Sequence, residues 1–211
     1  MYKSEDGYIR YFYRIIGQWE SMDTTFKSYV RVGEWFINNK KIELSRIPEE
    51  HRIGDEEVDI MFLEKAVYNS SLIYLFSQFE YYINNLRIEI EKLYAKPYEK
   101  KDCRDIIKGE LGNIYRISKV STDSSKLLKT KWHKISLYKR IRNKFVHSNG
   151  LTNEIDLVNE VLEQLENEIK IIRSNDEYFE FLLSKDFLFK IVDDMRIFLN
   201  ELMKLVYENK K

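Results

Sequence analysis

The amino-acid sequence predicts a mostly α-helical bundle, formed by a single domain of 211 residues. Apolar residues return every three or four positions over long stretches, which is the period of an amphipathic helix. Two prolines and seven glycines are few breaks for a chain of this length, so the helices can be long. Hydrophobic residues make up 44% of the chain and aromatic residues 14%, which is enough to build a folded core.

The N-terminal half predicts two long helices joined by a loop. The apolar period indicates one long or broken helix over about 5–38, and the loop over 39–55 contains a proline and a glycine. Three consecutive carboxylates then favour a helix start, because they suit the positive end of the helix dipole. The second helix is expected over 58–94 and ends before Pro97.

The C-terminal half predicts shorter helices, at about 101–117, 130–147, 154–167 and 187–207. Gly150 stands where a residue in the left-handed conformation commonly ends a helix. The segment 169–182 holds two short apolar runs around Ser174–Glu177. It forms either a small β-hairpin or a turn between helices.

The chain has no net charge, yet its charges are unevenly distributed. Between Ser124 and Asn153 there is no aspartate or glutamate, while eight lysines and arginines occur there. The rest of the chain therefore carries a charge of −8. A surface of this kind attracts polyanions such as nucleic acids. A solvated helix face with clustered charges gives the same pattern and is the alternative.

The centre of this basic region holds the residue types that a metal-independent phosphodiester-cleaving site needs. Arg142 offers a fixed cation for phosphate, His147 an imidazole that transfers protons near neutral pH, and Asn143 an amide. Glu80, in the second long helix, is either a supporting residue behind this site or an ordinary exposed charge. The side chains predicted to bind the RNA backbone are Lys139, Arg140, Lys144, Lys134 and His133.

Helical geometry places the predicted catalytic groups on different faces. Asn143 and His147 are four residues apart and share one face. Arg142 lies about 140° from His147 around the axis and about 7.5 Å along it. It borders an apolar arc that includes Phe145 and Val146 and is expected to face the core. Three arrangements would bring the arginine and the histidine to one phosphate: the helix end unwinds around the histidine, the arginine bends out along the surface, or a second copy in a twofold dimer completes the site.

Other chemistries have no support in the sequence. The three histidines show no His-x3-His spacing, Cys103 is the only cysteine, and neither a glycine-rich phosphate loop nor a Gly-x-Ser-x-Gly turn occurs. We therefore expect no metal and no cofactor. A single thiol, an N-terminus without a signal-peptide pattern and the lack of a long apolar run predict a soluble cytoplasmic protein with no membrane partner.

The string Arg142-Asn143-Lys144-Phe145-Val146-His147 resembles the signature of the HEPN superfamily, which is an arginine, a polar residue, a few variable positions and a histidine. The stretch Ser77–Ile83 also resembles part of the long helix that precedes the motif helix in that group. The resemblance covers about 55–205 and leaves 1–50 as an N-terminal helical extension.

Membership implies a helical bundle of HEPN type that dimerises with its motif helices facing each other. For many members it also implies a metal-independent endoribonuclease of toxin–antitoxin, abortive-infection or other antiviral systems. RNA, a second copy of the chain, and an antitoxin or defence-system protein are then the expected partners. Arg142 and His147 become the catalytic pair and Asn143 the orienting residue. Some toxins of the group carry a modifiable tyrosine two positions after the histidine, and that position is Asn149 here.

Two other functions are compatible with the same sequence. Some members of the group have lost catalysis, so a non-catalytic module that binds RNA or nucleotides and regulates a partner is one alternative. A helical assembly protein whose apolar faces associate with partners is the other. Only the ribonuclease predicts that RNA is cut, leaving 2′,3′-cyclic phosphate and 5′-hydroxyl ends.

Overall fold

Helices account for most of the chain in a computed structural model that describes residues 5–52, 54–96, 106–165 and 168–210. The helices are α1 (Glu5–Ser45), α2 (Asp55–Tyr94), α3 (Ile106–Ser118), α4 (Lys126–Ser148), α5 (Ile155–Leu165) and α6 (Lys185–Glu208). The strands are β1 (Leu151–Thr152), β2 (Lys170–Arg173) and β3 (Phe179–Leu182). The predicted mostly α-helical fold with a small β element is confirmed, whereas its HEPN type stays a prediction.

The first helix is longer than its apolar period suggested. Residues 39–45 were expected in a loop, but α1 continues through them to its end at Ser45. This segment contains neither proline nor glycine. Lys40 also pairs with Glu43 one turn later at 2.7 Å, a spacing that supports a helix. The predicted segments 101–105 and 166–167 lie outside the described residues.

A three-stranded antiparallel sheet with the order β1-β3-β2 follows α4. Strands β2 and β3 form the hairpin that was one of two alternatives for 169–182. Its turn is held by the side-chain oxygen of Asn175, which accepts hydrogen bonds from the backbone nitrogens of Glu177 and Tyr178, both at 2.9 Å. Strand β1 pairs with the other edge of β3, with Leu151 opposite Glu180 and Thr152 opposite Phe179. This strand was not expected, because two residues are too short to show an alternating pattern.

The described chain divides into two compact units. The first unit contains Met1–Asp23, Phe76–Ser136 and Val192–Lys211, and the second contains Thr24–Leu75 and Leu137–Ile191. In the first unit, Trp19 contacts Phe79 and Tyr82 edge-on, at ring-centroid distances of 5.9 and 5.1 Å. Phe79 in turn contacts Phe198 at 6.3 Å, so aromatic rings from three helices form the centre of this core.

The second unit has its own core, built by α1, α2, α4 and α6. Tyr138 is fully buried and contacts Phe187 edge-on at 5.6 Å. Gly33 allows α1 and α2 to approach closely, because a Cβ atom there would lie 2.6 Å from a methyl group of Val67. The segment Thr24–Ser45 is thus part of a compact unit, while the single-domain prediction and the N-terminal extension over 1–50 stay predictions.

No helix in the described part of the chain is both long and apolar enough to cross a membrane. The fold positions the candidate site through α4, whose C-terminal end leads directly into β1.

Candidate functional site

Helix α4 buries one face and leaves the predicted catalytic groups on the rest of its surface. Tyr138, Ile141 and Phe145 are buried and follow the spacing of three to four residues that a helix requires. Val146 was expected on the same buried arc, but its side chain is 43% exposed, so that expectation is wrong. The buried arc is narrower than predicted and does not extend past Phe145 toward His147.

The C-terminal end of α4 is fixed by its cap. Asn149 and Gly150 both adopt the left-handed conformation, with φ values of 50° and 88°. The backbone nitrogen of Gly150 donates to the carbonyl of Lys144 at 3.1 Å, which closes the last turn. The carbonyl of Gly150 accepts a hydrogen bond from the backbone of Phe181 at 3.1 Å, and this joins the helix end to β3.

The capped helix end rules out one of the three arrangements that would bring Arg142 and His147 to one phosphate. The helix continues through His147 to Ser148, so the arrangement in which its end unwinds around His147 is wrong. Asn143 and His147 therefore share a helix face, as expected. Arg142 keeps its separation of about 140° and about 7.5 Å from His147, so a single straight helix does not direct both groups to one phosphate.

The three predicted catalytic residues differ in exposure. His147 is exposed and lies in the last turn of α4. Arg142 and Asn143 are half-buried, and Arg142 already interacts with other groups of the protein. The imidazole can thus meet a ligand from solvent, while the guanidinium has less freedom to move along the surface.

Two of the predicted RNA-binding cations are neutralised inside the second unit. Arg140 pairs with Glu160 of α5, and Lys144 pairs with Glu154 just before that helix. The hydrogen bond from Lys144 is the main cause that lowers the pKa of Glu154, and the positive charge of Arg140 contributes further. An RNA phosphate that binds either cation has to compete with a carboxylate that is already in place.

The other predicted residues lie on α4 and α2. Lys139 is half-buried and belongs to the second unit. His133 is exposed, while Lys134 and Glu80 are half-buried, and these three belong to the first unit. All four interact with other groups of the chain.

The first unit neutralises two further lysines of the basic region. Lys131 pairs at 2.5 Å with Asp194, whose side chain is 1% exposed, so this pair is part of the interior. Lys129 pairs with Asp123 at 2.8 Å, and both side chains are about 70% exposed to solvent. At least four of the eight cations between Ser124 and Asn153 are therefore matched by acids from elsewhere, and the basic surface is weaker than the sequence suggested.

A cleft of about 390 Å³ lies beside the end of α4 within the second unit. Its lining comes from α2, the α4 terminus and the sheet, and consists of Met61, Glu64, Lys65, Tyr68, Asn69, Phe145, Asn149, Ile172, Glu180, Phe181, Leu182 and Leu183. No sequence signal predicted it, because separate segments of the chain contribute these residues. The sequence pointed to Asn149 only because some toxins of the HEPN group carry a modifiable tyrosine at this position, and it gave no sign that Asn149 lines a cleft.

No group of three or more histidine, cysteine, aspartate or glutamate side chains is arranged to hold a metal ion among residues 5–52, 54–96, 106–165 and 168–210. Cys103 lies outside these ranges. The chain matches no protein-family model, no curated protein and no solved structure. The resemblance to the HEPN superfamily consequently depends on the motif in α4 and on the stretch Ser77–Ile83.

Proposed function

We propose that this protein is a metal-independent endoribonuclease whose active site is completed by two copies of the chain. The observation that carries the proposal is the presence of Arg142, Asn143 and His147 at the capped, continuous end of one helix. A guanidinium and an imidazole supply the phosphate-binding charge and the proton transfer that cleavage of RNA requires.

The expected reaction uses the 2′-hydroxyl of RNA as the nucleophile. The 2′-oxygen attacks the neighbouring phosphorus, the bond to the 5′-oxygen breaks, and the products are a 2′,3′-cyclic phosphate and a 5′-hydroxyl. His147 either accepts the proton of the 2′-hydroxyl or donates a proton to the leaving 5′-oxygen. Arg142 stabilises the negative charge that develops on the phosphorus oxygens. Asn143, one turn before His147 on the same face, orients the imidazole.

The geometry of α4 favours a site that is shared with a second copy. Because the helix is continuous through His147, the remaining routes to one phosphate are an arginine that bends along the surface or an arginine from another copy. Arg142 is half-buried and engaged within the protein, which favours the second route. In a twofold dimer the histidine of one copy would then work with the arginine of the other.

The RNA backbone would follow the cations of α4 outside the reacting phosphate. Lys139, Arg140 and Lys144 are the expected contacts within the second unit, with His133 and Lys134 earlier on the same helix. Because Arg140 and Lys144 are paired with carboxylates, exchanging those carboxylates for phosphates should give only a modest gain in binding energy. We therefore expect moderate RNA affinity that decreases as salt is added.

The direct test incubates the purified protein with total RNA in the presence of a chelator and maps the new ends. We expect 2′,3′-cyclic phosphate and 5′-hydroxyl ends, and loss of cleavage in His147→Ala and in Arg142→Ala. His51→Ala is the matched control, because His51 is exposed in a turn that follows α1. Equal RNA degradation by the wild type and by the double variant of Arg142 and His147 would refute the assignment.

A non-catalytic RNA-binding or nucleotide-binding module is the second candidate. It is favoured by the separation of Arg142 and His147 within one copy and by the neutralised Arg140 and Lys144. This function predicts binding without cleavage at any protein concentration. Growth arrest on expression, relieved by His147→Ala, would support the ribonuclease over the non-catalytic module.

A further inference from the structure

The cleft beside the end of α4 has the size of a site for a small molecule. Its volume of about 390 Å³ falls within the range of small-molecule sites, roughly 300–1,000 Å³. Phe145 and Phe181 line the cleft but are only 8% and 1% exposed, so the half-buried Ile172, Leu182 and Leu183 supply most of the apolar surface that a ligand meets. A ring bound against these side chains buries apolar surface, and its rigidity limits the conformational entropy lost on binding.

One of these walls is held in place by the cap of α4. Phe145 lies so close to Gly150 that a Cβ atom there would be 2.6 Å from its ring. Gly150 also accepts the backbone hydrogen bond from Phe181. Both phenylalanines are thus tied to the same glycine, so this side of the cleft needs little rearrangement to accept a ligand.

Two amide side chains meet at the cleft and offer a paired hydrogen-bonding edge. The amide nitrogen of Asn69 donates to the amide oxygen of Asn149 at 3.3 Å. Each asparagine amide carries both donors and an acceptor, so the oxygen of Asn69 and the nitrogen of Asn149 retain capacity for a ligand. An acceptor next to a donor is the arrangement by which an asparagine reads the amino group and ring nitrogen of adenine.

The charges around the cleft are paired with one another and suit a neutral ligand. Lys65 is the only cation among the described lining residues, and it pairs with Glu180 at 2.6 Å. Glu64, which also lines the cleft, is held by Lys41 at 3.1 Å. Each carboxylate of the lining is therefore matched by a lysine, so the cleft favours a neutral ligand over a phosphate.

Tyr68 also lines the cleft, and its surroundings raise the pKa of its phenol. Burial is the main cause that raises its pKa to about 12, and the charges of Glu34, Glu64 and Asp186 raise it further. A protonated phenol remains a hydrogen-bond donor and acceptor at all physiological pH values.

We infer that this cleft binds a nucleobase that carries an exocyclic amino group, with Asn69 and Asn149 reading the amino edge and the apolar side chains of the sheet contacting the ring. The base has two sources that share this chemistry, a nucleotide of the RNA substrate or a free nucleoside. The RNA source rests on the proposed function, since Asn149 lies two residues after His147. The free nucleoside does not depend on it.

The test first measures binding of free nucleosides to the purified full-length chain by calorimetry. Adenosine is compared with inosine, which lacks the amino group, and cytidine with uridine. We expect the amino-bearing member of each pair to bind more tightly. Asn69→Ala and Asn149→Gly should each weaken adenosine binding about fivefold to tenfold, because each removes one hydrogen bond of the reading edge. Glycine at 149 tolerates the left-handed conformation found there.

Asn159→Ala is the matched control, because Asn159 is exposed on α5 and does not line the cleft. It should bind adenosine like the wild type. The second arm maps the bases that flank the cleavage sites in RNA for the wild type and for Asn149→Gly. Loss of a preference for amino-bearing bases in the variant, with cutting retained, would indicate the RNA source.

The two arms separate this inference from the proposed function. Selective adenosine binding without any RNA cleavage supports the cleft as a nucleoside site and counts against the ribonuclease. RNA cleavage with no selective nucleoside binding and no change of base preference in Asn149→Gly supports the ribonuclease and overturns the cleft assignment. Equal binding of adenosine and inosine, insensitive to Asn69→Ala, overturns it as well.

Discussion

Replacing Gly150 by alanine tests whether the end of α4 is held as described. Gly150 has a φ of 88°, and its carbonyl joins the helix end to β3. A Cβ atom at this position would lie 2.6 Å from the ring of Phe145, whose side chain is only 8% exposed. Gly150→Ala therefore introduces backbone strain and a steric conflict at the same point.

The two effects can be given magnitudes. Placing a residue with a Cβ atom in the left-handed region costs about 1 kcal/mol. Forcing a buried aromatic ring to move costs a further 1–3 kcal/mol, roughly, as in other overpacked sites. We expect Gly150→Ala to lower the free energy of unfolding by about 2–4 kcal/mol.

Urea unfolding, followed by circular dichroism, measures this change against a matched control. Gly112 lies inside α3, is exposed, and has no atoms within 4 Å of the place that a Cβ would occupy. Gly112→Ala should therefore stabilise the protein by about 0.5–1 kcal/mol, because alanine favours the helix over glycine. A urea midpoint of the Gly150→Ala variant equal to or above that of the wild type would refute the cap described for α4.

Two further predictions concern single residues. Lys131→Met should lower the free energy of unfolding by about 1–3 kcal/mol, because it removes the ion pair that Lys131 makes with the buried Asp194. Lys129→Met removes a solvated pair and should leave the urea midpoint unchanged. Equal midpoints for the two variants would contradict the buried pair. The phenol of Tyr68, with its pKa raised to about 12, should ionise later than an ordinary tyrosine, whose pKa is near 10. Because the raised pKa belongs to the folded state, its contribution to stability is complete below about pH 10 and is lost as the pH rises toward 12. Ultraviolet difference titration of the wild type against Tyr68→Phe checks this, and a Tyr68 signal that ends near pH 10 would show that the phenol is not shielded.

Much of the helical structure was predictable, because burial of an apolar face gives a regular period. Helix α2 was expected over 58–94 and occupies Asp55–Tyr94. The start of α4 was placed four residues too late, since its N-terminal turn is rich in lysine. The hydroxyl of Ser125 accepts a hydrogen bond from the backbone of Leu128 at 3.4 Å, which is a capping contact that the residue type alone could have suggested.

The charged residues of α4 predicted its surface less well than its apolar residues predicted its buried face. The acid-free stretch predicted a strongly basic surface, but the partners of Arg140 and Lys144 come from Glu160 and Glu154, further along the chain. Folding brings those carboxylates back against α4. A count of charges within a sequence window does not detect this, whereas the period of buried residues depends only on the helix itself.

The cleft beside α4 could not be predicted at all. Asn69 and Asn149 are 80 residues apart and meet only because α2 lies beside the end of α4. Neither residue belongs to a motif, and Asn149 takes its conformation from the turn that ends the helix. Sites assembled from separate segments in this way leave no local sequence pattern.

We expect the arginine of one copy and the histidine of another to act on the same phosphate. Mixing the inactive variants Arg142→Ala and His147→Ala tests it most directly, with RNA cleavage as the readout. In a mixed dimer one of the two sites contains an intact Arg142 and an intact His147. Random exchange of equal amounts should therefore restore about one quarter of the wild-type activity, given a twofold dimer with two composite sites. Activity that stays at zero after the copies have exchanged, while each wild-type dimer cuts RNA, would contradict a site shared between two chains.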